Sequence, residues 1–137
     1  MDVEPSGNAS NPLSPLEVEN GTPRPLINSG AIVVSDILCR KLKSPKKELL
    51  KFIRKVANSS SIDYCPHIVK SEKETGFRNY VRATYLKFFD NIENDINEVI
   101  EPYFDLCYIT MTCIELSIAF GNLRINGKPF LTQNQIL

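Results

Sequence analysis

Nine residues decide the architecture of this chain: residues 31–39, AIVVSDILC, are apolar nearly all the way round. A stretch of this kind is typical of a helix that is buried on every side, and a buried strand fits the same periodicity. The segments that flank it carry clearer signals.

Helix signals follow this stretch on its C-terminal side. Ser44 and Pro45 resemble an N-cap followed by proline at the first helical position. The polar residues 58–61, NSSS, then end an apolar stripe at helical spacing, which comprises Leu49, Leu50, Ile53 and Val56. The pattern predicts one amphipathic helix.

Two later segments have the form of a capping box, in which a serine or threonine and a glutamate three residues on cap each other's backbone amides. Residues 71–74, SEKE, predict a helix that starts at Ser71 and runs towards Phe89. Residues 112–115, TCIE, predict another that runs towards Leu123. Between them, residues 90–95 predict a polar turn and then a helix with one apolar face, formed by Ile96, Val99, Ile100, Tyr103, Phe104 and Cys107.

The two ends of the chain read differently. Residues 1–25 hold five of the nine prolines together with several Ser, Asn and Gly residues, which predicts loop. Residues 126–129, NGKP, predict a turn, and a last helix is expected to begin after it. Little strand and no internal repeat are visible. The chain is therefore predicted to be mainly α, a set of short packed helices.

Composition limits the possible functions. At 137 residues, with 42% hydrophobic and 23% charged residues, the chain suits one globular domain. Its 16 basic and 16 acidic residues cancel, which argues against a nucleic acid or an anionic membrane as partner. No apolar run is long enough for a bilayer span, and Met1 is not followed by a signal-peptide pattern. A cytoplasmic location is expected.

The four cysteines agree with that location. Cys39, Cys65, Cys107 and Cys113 lie mostly in apolar stretches at irregular spacing, which predicts reduced, buried thiols. A disulfide framework is the weaker alternative. A metal site is also disfavoured because the chain has a single histidine.

Five segments, in order along the chain, resemble the glutaminase family, the serine-dependent hydrolases that convert glutamine to glutamate and ammonia. They are residues 3–7, VEPSG; 26–34, LINSGAIVV; 71–79, SEKETGFRN; 103–107, YFDLC; and 111–113, MTC. Any one of them is a weak match, but five with similar spacing are a strong one. Small departures are a residue missing between Arg24 and Pro25, Ser29 in place of alanine, and a shortened segment at residues 124–127.

The resemblance implies a fold. Glutaminases share the mixed α/β fold of serine β-lactamases and penicillin-binding proteins, and this segment corresponds mainly to the helical domain. The whole chain, residues 1–137, is then a partial glutaminase domain, with a loop-rich N-terminal segment (1–25) and a helical part (26–137). Helices that pack on the sheet in the family would keep an uncovered apolar face here. Instability, self-association or a requirement for another polypeptide would follow.

The resemblance also implies a substrate site. Glu72 would bind the α-ammonium group of L-glutamine, Asn79 and Asn28 would donate hydrogen bonds to its α-carboxylate, and Tyr103 would close the pocket. Glu72 and Asn79 lie two helical turns apart, on one face of the predicted helix. Taken without the family, Glu72 is a helix-start carboxylate, Asn28 an N-cap and Tyr103 a core aromatic. No cofactor or metal is implied.

Two segments invite a different assignment of catalytic residues. Ser44 and Lys47 have the Ser-x-x-Lys spacing of serine β-lactamases and glutaminases, but in the family that motif precedes the VEPSG segment. Ser44 is therefore predicted to be an N-cap. Cys65 and His67 are two residues apart and predict an ordinary loop rather than a nucleophile and its base.

Without the family's catalytic serine and lysine, this chain alone is predicted to be an inactive glutaminase fragment that forms no acyl-enzyme. The alternatives are a non-catalytic helical binding module, one half of a split enzyme, and a product without function. The expected partners are L-glutamine and either a second copy, as in the homo-oligomers of the family, or a complementary chain that carries the missing half.

Overall fold

The computed structural model of the chain describes residues 27–124. Six helices and two very short strands occupy this part in the order α1, Asn28–Lys41; α2, Pro45–Val56; β1, Asp63–Tyr64; α3, Pro66–Thr75; α4, Phe77–Phe88; α5, Ile96–Cys107; β2, Ile109–Thr110; and α6, Cys113–Arg124. The strands pair antiparallel, with Asp63 opposite Thr110 and Tyr64 opposite Ile109. The prediction of a mainly helical chain is confirmed for these residues. The predicted loop at 1–25 and the predicted turn at 126–129 with its following helix lie outside them.

Local sequence explains where several helices begin and end. Pro45 opens α2 as predicted, and Thr112 and Glu115 form the predicted capping box, with the threonine hydroxyl accepting from Glu115 N at 3.2 Å. Asn58 and Asp90 follow α2 and α4 with positive φ angles of 50° and 55°. Both residue types tolerate this conformation, and each closes its helix with the two backbone hydrogen bonds of a Schellman motif.

The helices enclose two cores. We call the first the larger core; it joins α1, α3, α4 and α5 and contains Ile32, Val69, Ala83, Leu86, Ile92, Val99, Ile100, Tyr103 and Phe104. We call the second the smaller core; it joins the end of α2 to α6 and contains Val56, Ala57, Ile62 and Ala119. The larger core is the one that carries the predicted substrate residues.

A buried polar group fastens α1 into the larger core. The Asp36 side chain is fully buried, and its Oδ1 accepts from the backbone N–H of Asn94 at 3.0 Å and from the Asn94 amide at 3.0 Å. Its Oδ2 has Arg40 Nε at 3.1 Å as an ionic partner. Ser35 adds a hydrogen bond of 2.9 Å to Val99 O. These contacts fix α1 against the α4–α5 turn and against α5, because each buried polar atom would lose stability if it lacked a partner.

Three expectations from the sequence are wrong. Residues 31–39 form a helix as expected, but Val34 and Ile37 are 51% and 41% exposed, so α1 is not buried on every side. The thiols are free, but Cys107 and Cys113 are exposed and the other two are only half-buried. The helix expected to start at Ser71 already begins at Pro66, because proline suits the first helical position.

An uncovered apolar surface was expected, and the described residues have one. The most exposed large apolar side chains are Phe77, Phe88, Ile114 and Phe120, each more than 60% exposed. Helix α6 carries two of them, together with Leu116 and Leu123. A helix that is apolar on several faces is normally covered on several faces. No helix within residues 27–124 has the length and apolar character that crossing a bilayer requires.

Candidate functional site

The helix predicted to run from Ser71 to Phe89 is broken at Gly76, and this break shapes the site. Gly76 is buried against Phe104, and a Cβ atom added to it would lie 2.4 Å from Phe104 Cζ and 2.6 Å from Glu72 O. Helix α3 therefore ends at Thr75 and α4 starts at Phe77. Glu72 and Asn79 lie on two successive helices, so the prediction that they share one helix face is wrong.

Asn79 lies in the first turn of α4 and is 7% exposed. Its backbone N–H donates to Gly76 O at 2.8 Å, and its side-chain Oδ1 accepts from Asn28 Nδ2 at 3.5 Å. Asn28 is the first residue of α1, and no side chain caps that helix start. Two asparagines that are 51 residues apart in the sequence thus meet at the starts of two helices.

Glu72 lies near the end of α3 and is half-buried. The nearby Lys73 donates to Glu101 Oε2 at 2.5 Å, which ties α3 to α5 and raises the pKa of Lys73. The phenol of Tyr108 forms a side-chain hydrogen bond with Glu72; burial, followed by this hydrogen bond and the negative charge of Glu72, raises the pKa of Tyr108 to about 12. Tyr108 therefore stays protonated at neutral pH, and as a protonated phenol it can donate to the carboxylate.

Tyr103 lies on α5 and is only 3% exposed. Its ring packs against Phe104, with centroids 5.5 Å apart. Burial is the main reason that the pKa of its hydroxyl is raised; the neighbouring Cys107 adds to the effect, and the positive charge of Arg82 opposes it. Cys107 is exposed as a whole residue, but burial around its thiol raises the thiol pKa, a hydrogen bond with Tyr103 opposes this effect, and the charge of Glu72 raises the pKa further.

A hydrogen bond pairs Asn28 with Asn79, and Asn79 also contacts Arg82. Electrostatic interactions connect Arg82 and Cys107 to Tyr103, and Glu72 to Cys107. We call this set the polar cluster; it comprises Asn28, Glu72, Asn79, Arg82, Tyr103, Cys107 and Tyr108. Tyr103 also belongs to the larger core, and the polar cluster contains one carboxylate, that of Glu72, and two side-chain amides, those of Asn28 and Asn79.

Three members of the polar cluster, Arg82, Cys107 and Tyr108, were not predicted as site residues from the sequence. Arg82 Nη1 donates to Asn79 Oδ1 at 2.7 Å, and Tyr108 pairs with Glu72. The contact between Arg82 and Asn79 could have been found from the sequence, because the two residues are three apart in a predicted helix and residues at that spacing are neighbours on a helix surface. No local signal links Tyr108 to Glu72, since the two residues are brought together only by the packing of α3 and α5.

The Ser-x-x-Lys segment at Ser44 and the segment with Cys65 and His67 lie at the starts of two helices, α2 and α3. Ser44 is an exposed residue at the start of α2, and its backbone N–H donates to Glu48 Oε1 at 2.9 Å. Cys65 caps the start of α3 and His67 is exposed in its first turn, so this segment is a helix start rather than a loop. No group of three or more metal-binding side chains is found among residues 27–124.

A cavity of about 540 Å³ lies elsewhere on the surface, and its lining includes Lys46, Tyr64, Lys73 and Asp105 but none of the four predicted residues. Three of its charged lining residues are paired with protein groups: Lys46 with Asp105 at 2.7 Å, and Lys73 with Glu101. The polar cluster is therefore the stronger candidate site, since its carboxylate and amides match the groups that an amino acid requires.

Comparisons with known proteins point to one family. The Glutaminase family model matches residues 1–137. The chain is 52% identical over 136 residues to a glutaminase of Saccharophagus degradans, covering 98% of this chain and 44% of that protein. It is 44% identical over 138 residues to a glutaminase of Christiangramia forsetii, covering all of this chain and 45% of that protein.

Solved structures agree with the sequence comparisons. The crystal structure of a probable glutaminase of Bacillus subtilis matches with a TM-score of 0.85 at 27% identity, covering 99% of this chain and 44% of that one. A Bacillus glutaminase in 4.3 M NaCl gives the same TM-score and identity over 46% of its length. The predicted fold class, a mainly helical part of the β-lactamase-like glutaminase fold, is confirmed. The chain spans less than half the length of these relatives.

Proposed function

The chain belongs to the glutaminase family, and we propose that its polar cluster binds the α-amino-acid end of L-glutamine. In this proposal Glu72 accepts hydrogen bonds from the α-ammonium group, and Asn79 and Asn28 donate to the α-carboxylate. Tyr103 closes the pocket between them. The reaction served is the hydrolysis of the side-chain amide of L-glutamine, which gives L-glutamate and ammonia.

The observation that carries the proposal is the contact between Asn28 and Asn79. It joins two segments that resemble separate family motifs, at the N-terminal ends of α1 and α4. The start of a helix carries unpaired N–H groups and a positive end of the helix dipole, both of which favour an anion. Within the described residues, the N-cap residue Ile27 makes no side-chain capping hydrogen bond to α1 and the first turn has no acidic residue, which suits an anion at this helix start.

The negative charge of Glu72, which suits the ammonium group, supports the same orientation of the ligand. Glu72 is half-buried, and its carboxylate interacts with the phenol of Tyr108, whose pKa it helps to raise. An ammonium group is a donor of three hydrogen bonds and pairs well with such a carboxylate. A free amino acid would therefore lie with its ammonium group towards α3 and its carboxylate towards α1 and α4.

The catalytic step itself needs groups beyond those of the polar cluster. By family membership, a serine activated by a lysine attacks the amide, and water then releases glutamate from the acyl-enzyme. We propose that Ser44 does not take this role, because it starts a surface helix and Lys47 beside it is exposed.

We also propose a cytoplasmic location and assembly with a second copy or a complementary chain, consistent with the exposed apolar side chains of α6.

The purified 137-residue chain is expected to release no ammonia from L-glutamine, and a coupled assay for ammonia measures this. If it does turn over and Ser44→Ala abolishes the activity, the assignment of Ser44 as a helix cap is wrong. Turnover that survives Ser44→Ala would instead point to a different nucleophile within these residues.

The substrate contacts are tested in a chimera in which residues 3–137 replace the matching segment of an active glutaminase. Removing the Glu72 carboxylate or the Asn79 amide by substitution with alanine should weaken substrate binding by about 1.5–3 kcal/mol, the usual contribution of a hydrogen bond to a charged group. If the contacts are equal in the ground and transition states, KM rises while kcat changes little.

Lys51→Ala is the matched control, because Lys51 is an exposed residue of α2. It should leave KM and kcat unchanged. If the chimera is active and both Glu72→Ala and Asn79→Ala leave its KM and kcat unchanged, the proposed site is wrong. The two residues would then contribute only to the ends of their helices.

A further inference from the structure

Arg82 makes the shortest contact that Asn79 has with another side chain. Its Nη1 lies 2.7 Å from Asn79 Oδ1, while Asn28 Nδ2 lies 3.5 Å from the same oxygen. Arg82 is one turn further along α4 than Asn79 and is half-buried. Because α4 is rigid and the two side chains face the same side, the contact is built into the helix.

The chemistry of arginine fixes the orientation of the Asn79 amide. A guanidinium group has only donors, so the atom of Asn79 that faces it must be the oxygen. Asn28 also donates to that oxygen. The Nδ2 group of Asn79, with its two N–H donors, must then point away from both partners, and a donor in that position is what a carboxylate ligand requires.

The charge of Arg82 acts in the same region. Its positive charge is felt at the Tyr103 hydroxyl, where it opposes the effect of burial on the pKa. It also lies next to Asn79 at the N-terminal end of α4, where the helix dipole is positive. The guanidinium therefore adds a full charge to a place that the helix ends already make favourable for an anion.

We propose that Arg82 is a positioning residue that orients the Asn79 amide and makes this part of the site selective for ligands with a free α-carboxylate. The inference rests on the proposed function, because it takes Asn79 to be the group that meets the carboxylate. It assigns a role to a residue that none of the five family-like segments contains.

The test uses the 137-residue chain labelled with ¹⁵N and two ligands, L-glutamine and its α-carboxamide, which lacks the carboxylate. The side-chain amide resonance of Asn79 is assigned by its loss in Asn79→Asp. In Arg82→Met this resonance should shift and its heteronuclear NOE should fall, because the oxygen has lost its strongest donor. The affinity for L-glutamine should fall about tenfold, equivalent to about 1.4 kcal/mol, while the affinity for the carboxamide should change less than about twofold.

Two further variants separate positioning from general effects. Arg82→Lys keeps a charge and a donor and should recover part of the affinity for L-glutamine. Lys51→Met removes one positive charge from an exposed position of α2 and should leave both the Asn79 resonance and the affinities unchanged. A purely structural role of Arg82 would lower the affinities for both ligands equally.

The inference is overturned if Arg82→Met leaves the Asn79 resonance and the preference for L-glutamine unchanged. If the chain shows no glutamine-dependent change at all, while the Asn79 resonance still depends on Arg82, the proposed function fails but the positioning of Asn79 by Arg82 is supported. The two failures are thus distinguishable in one set of spectra.

Discussion

The two cores of this molecule differ in how much apolar packing accompanies their hydrogen bonds. In the larger core, nine buried residues from α1, α3, α4, α5 and the α4–α5 turn pack together, and the buried hydrogen bonds of Asp36 and Ser35 add to this packing. The smaller core has only four buried apolar residues and is fastened by hydrogen bonds to its backbone. Asn122 Nδ2 donates to Val56 O at 2.6 Å, and Arg54 Nε donates to Ile62 O at 2.7 Å.

This difference explains where the polar cluster lies. A binding group must be held within a fraction of an ångström, and closely packed side chains in low-energy rotamers hold it better than a few polar contacts do. The polar cluster borders the larger core, with Tyr103 belonging to both. Loss of a buried polar group should destabilise either core, whereas changes in side-chain volume should matter most in the larger core.

The largest effect is expected from Gly76→Ala in the larger core. The added Cβ would lie 2.4 Å from Phe104, which is fully buried, and 2.6 Å from a backbone oxygen, so neither neighbour can move aside easily. The free energy of unfolding should fall by an amount near the upper end of about 1–3 kcal/mol, the usual cost of overpacking. Urea denaturation followed by circular dichroism measures it.

Gly121→Ala is the matched control for this substitution, because a Cβ at Gly121 in α6 would meet nothing within 4 Å. That variant should be stabilised by about 0.5–1 kcal/mol, since alanine is the better helix former. If Gly76→Ala were as harmless as Gly121→Ala, the junction of α3 and α4 would be looser than the structure indicates.

An intermediate effect is expected from Asn122→Ala in the smaller core. Asn122 is 2% exposed, and its removal leaves the carbonyl of Val56 without the hydrogen bond of 2.6 Å. The loss should be about 1–2 kcal/mol, as for other buried groups left unpaired. The Asn79 amide resonance should not move, because Asn79 borders the other core.

The exposed Asn97 of α5 provides the control Asn97→Ala, which should change the free energy of unfolding little. A shift of the Asn79 resonance in Asn122→Ala would show that the two cores act as one unit.

The sequence predicted those features that depend on neighbouring residues. The capping box at Thr112, the start of α2 at Pro45 and the end of α2 near Asn58 are local, and all three are confirmed. The break at Gly76 was missed because no capping pattern precedes it; the close packing that requires glycine there comes from Phe104, which lies 28 residues further along the chain. The start of α3 was placed too late because the serine and glutamate of residues 71–74 have the form of a cap but lie inside a helix begun by Pro66.

For the site, motif resemblance supplied Asn28, Glu72, Asn79 and Tyr103, whose role as substrate contacts stays a prediction. The structure pairs Asn28 directly with Asn79. The residues that orient them, Arg82 and Tyr108, could not be assigned from a pattern, because each acts through one specific contact in space. A family motif identifies groups that meet a ligand, whereas their supporting residues differ among chains that share the motif.

The smallest effect is expected from the charge of Glu115, which fastens α6 to the loop after α2. Its Oε1 accepts from Ser59 and Ser61 at 2.5 Å each, and its Oε2 accepts from the Thr112 N–H at 2.7 Å. These hydrogen bonds, with that of Ser59 the largest cause, lower the pKa of Glu115 from its ordinary value of 4.5 to about 2. Since the pKa is lower in the folded state, the contribution to stability is complete above pH 4.5 and is lost as the pH falls towards about 2.

Thermal unfolding midpoints recorded between pH 6 and pH 2 test this contribution, with roughly one measurement per half unit of pH. The midpoint of the wild-type chain should fall through the lower part of this range, and Glu115→Gln should lower the midpoint at pH 6 and flatten the fall, because a neutral amide does not titrate. The effect is small, since the carboxylate lies near solvent, where water and salt weaken its hydrogen bonds. Glu74→Gln, at an exposed position of α3, should leave the curve unchanged. An equal slope in Glu115→Gln and the wild-type chain would mean that other carboxylates cause the acid sensitivity, and the smaller core would then depend on Asn122 and Arg54 rather than on Glu115.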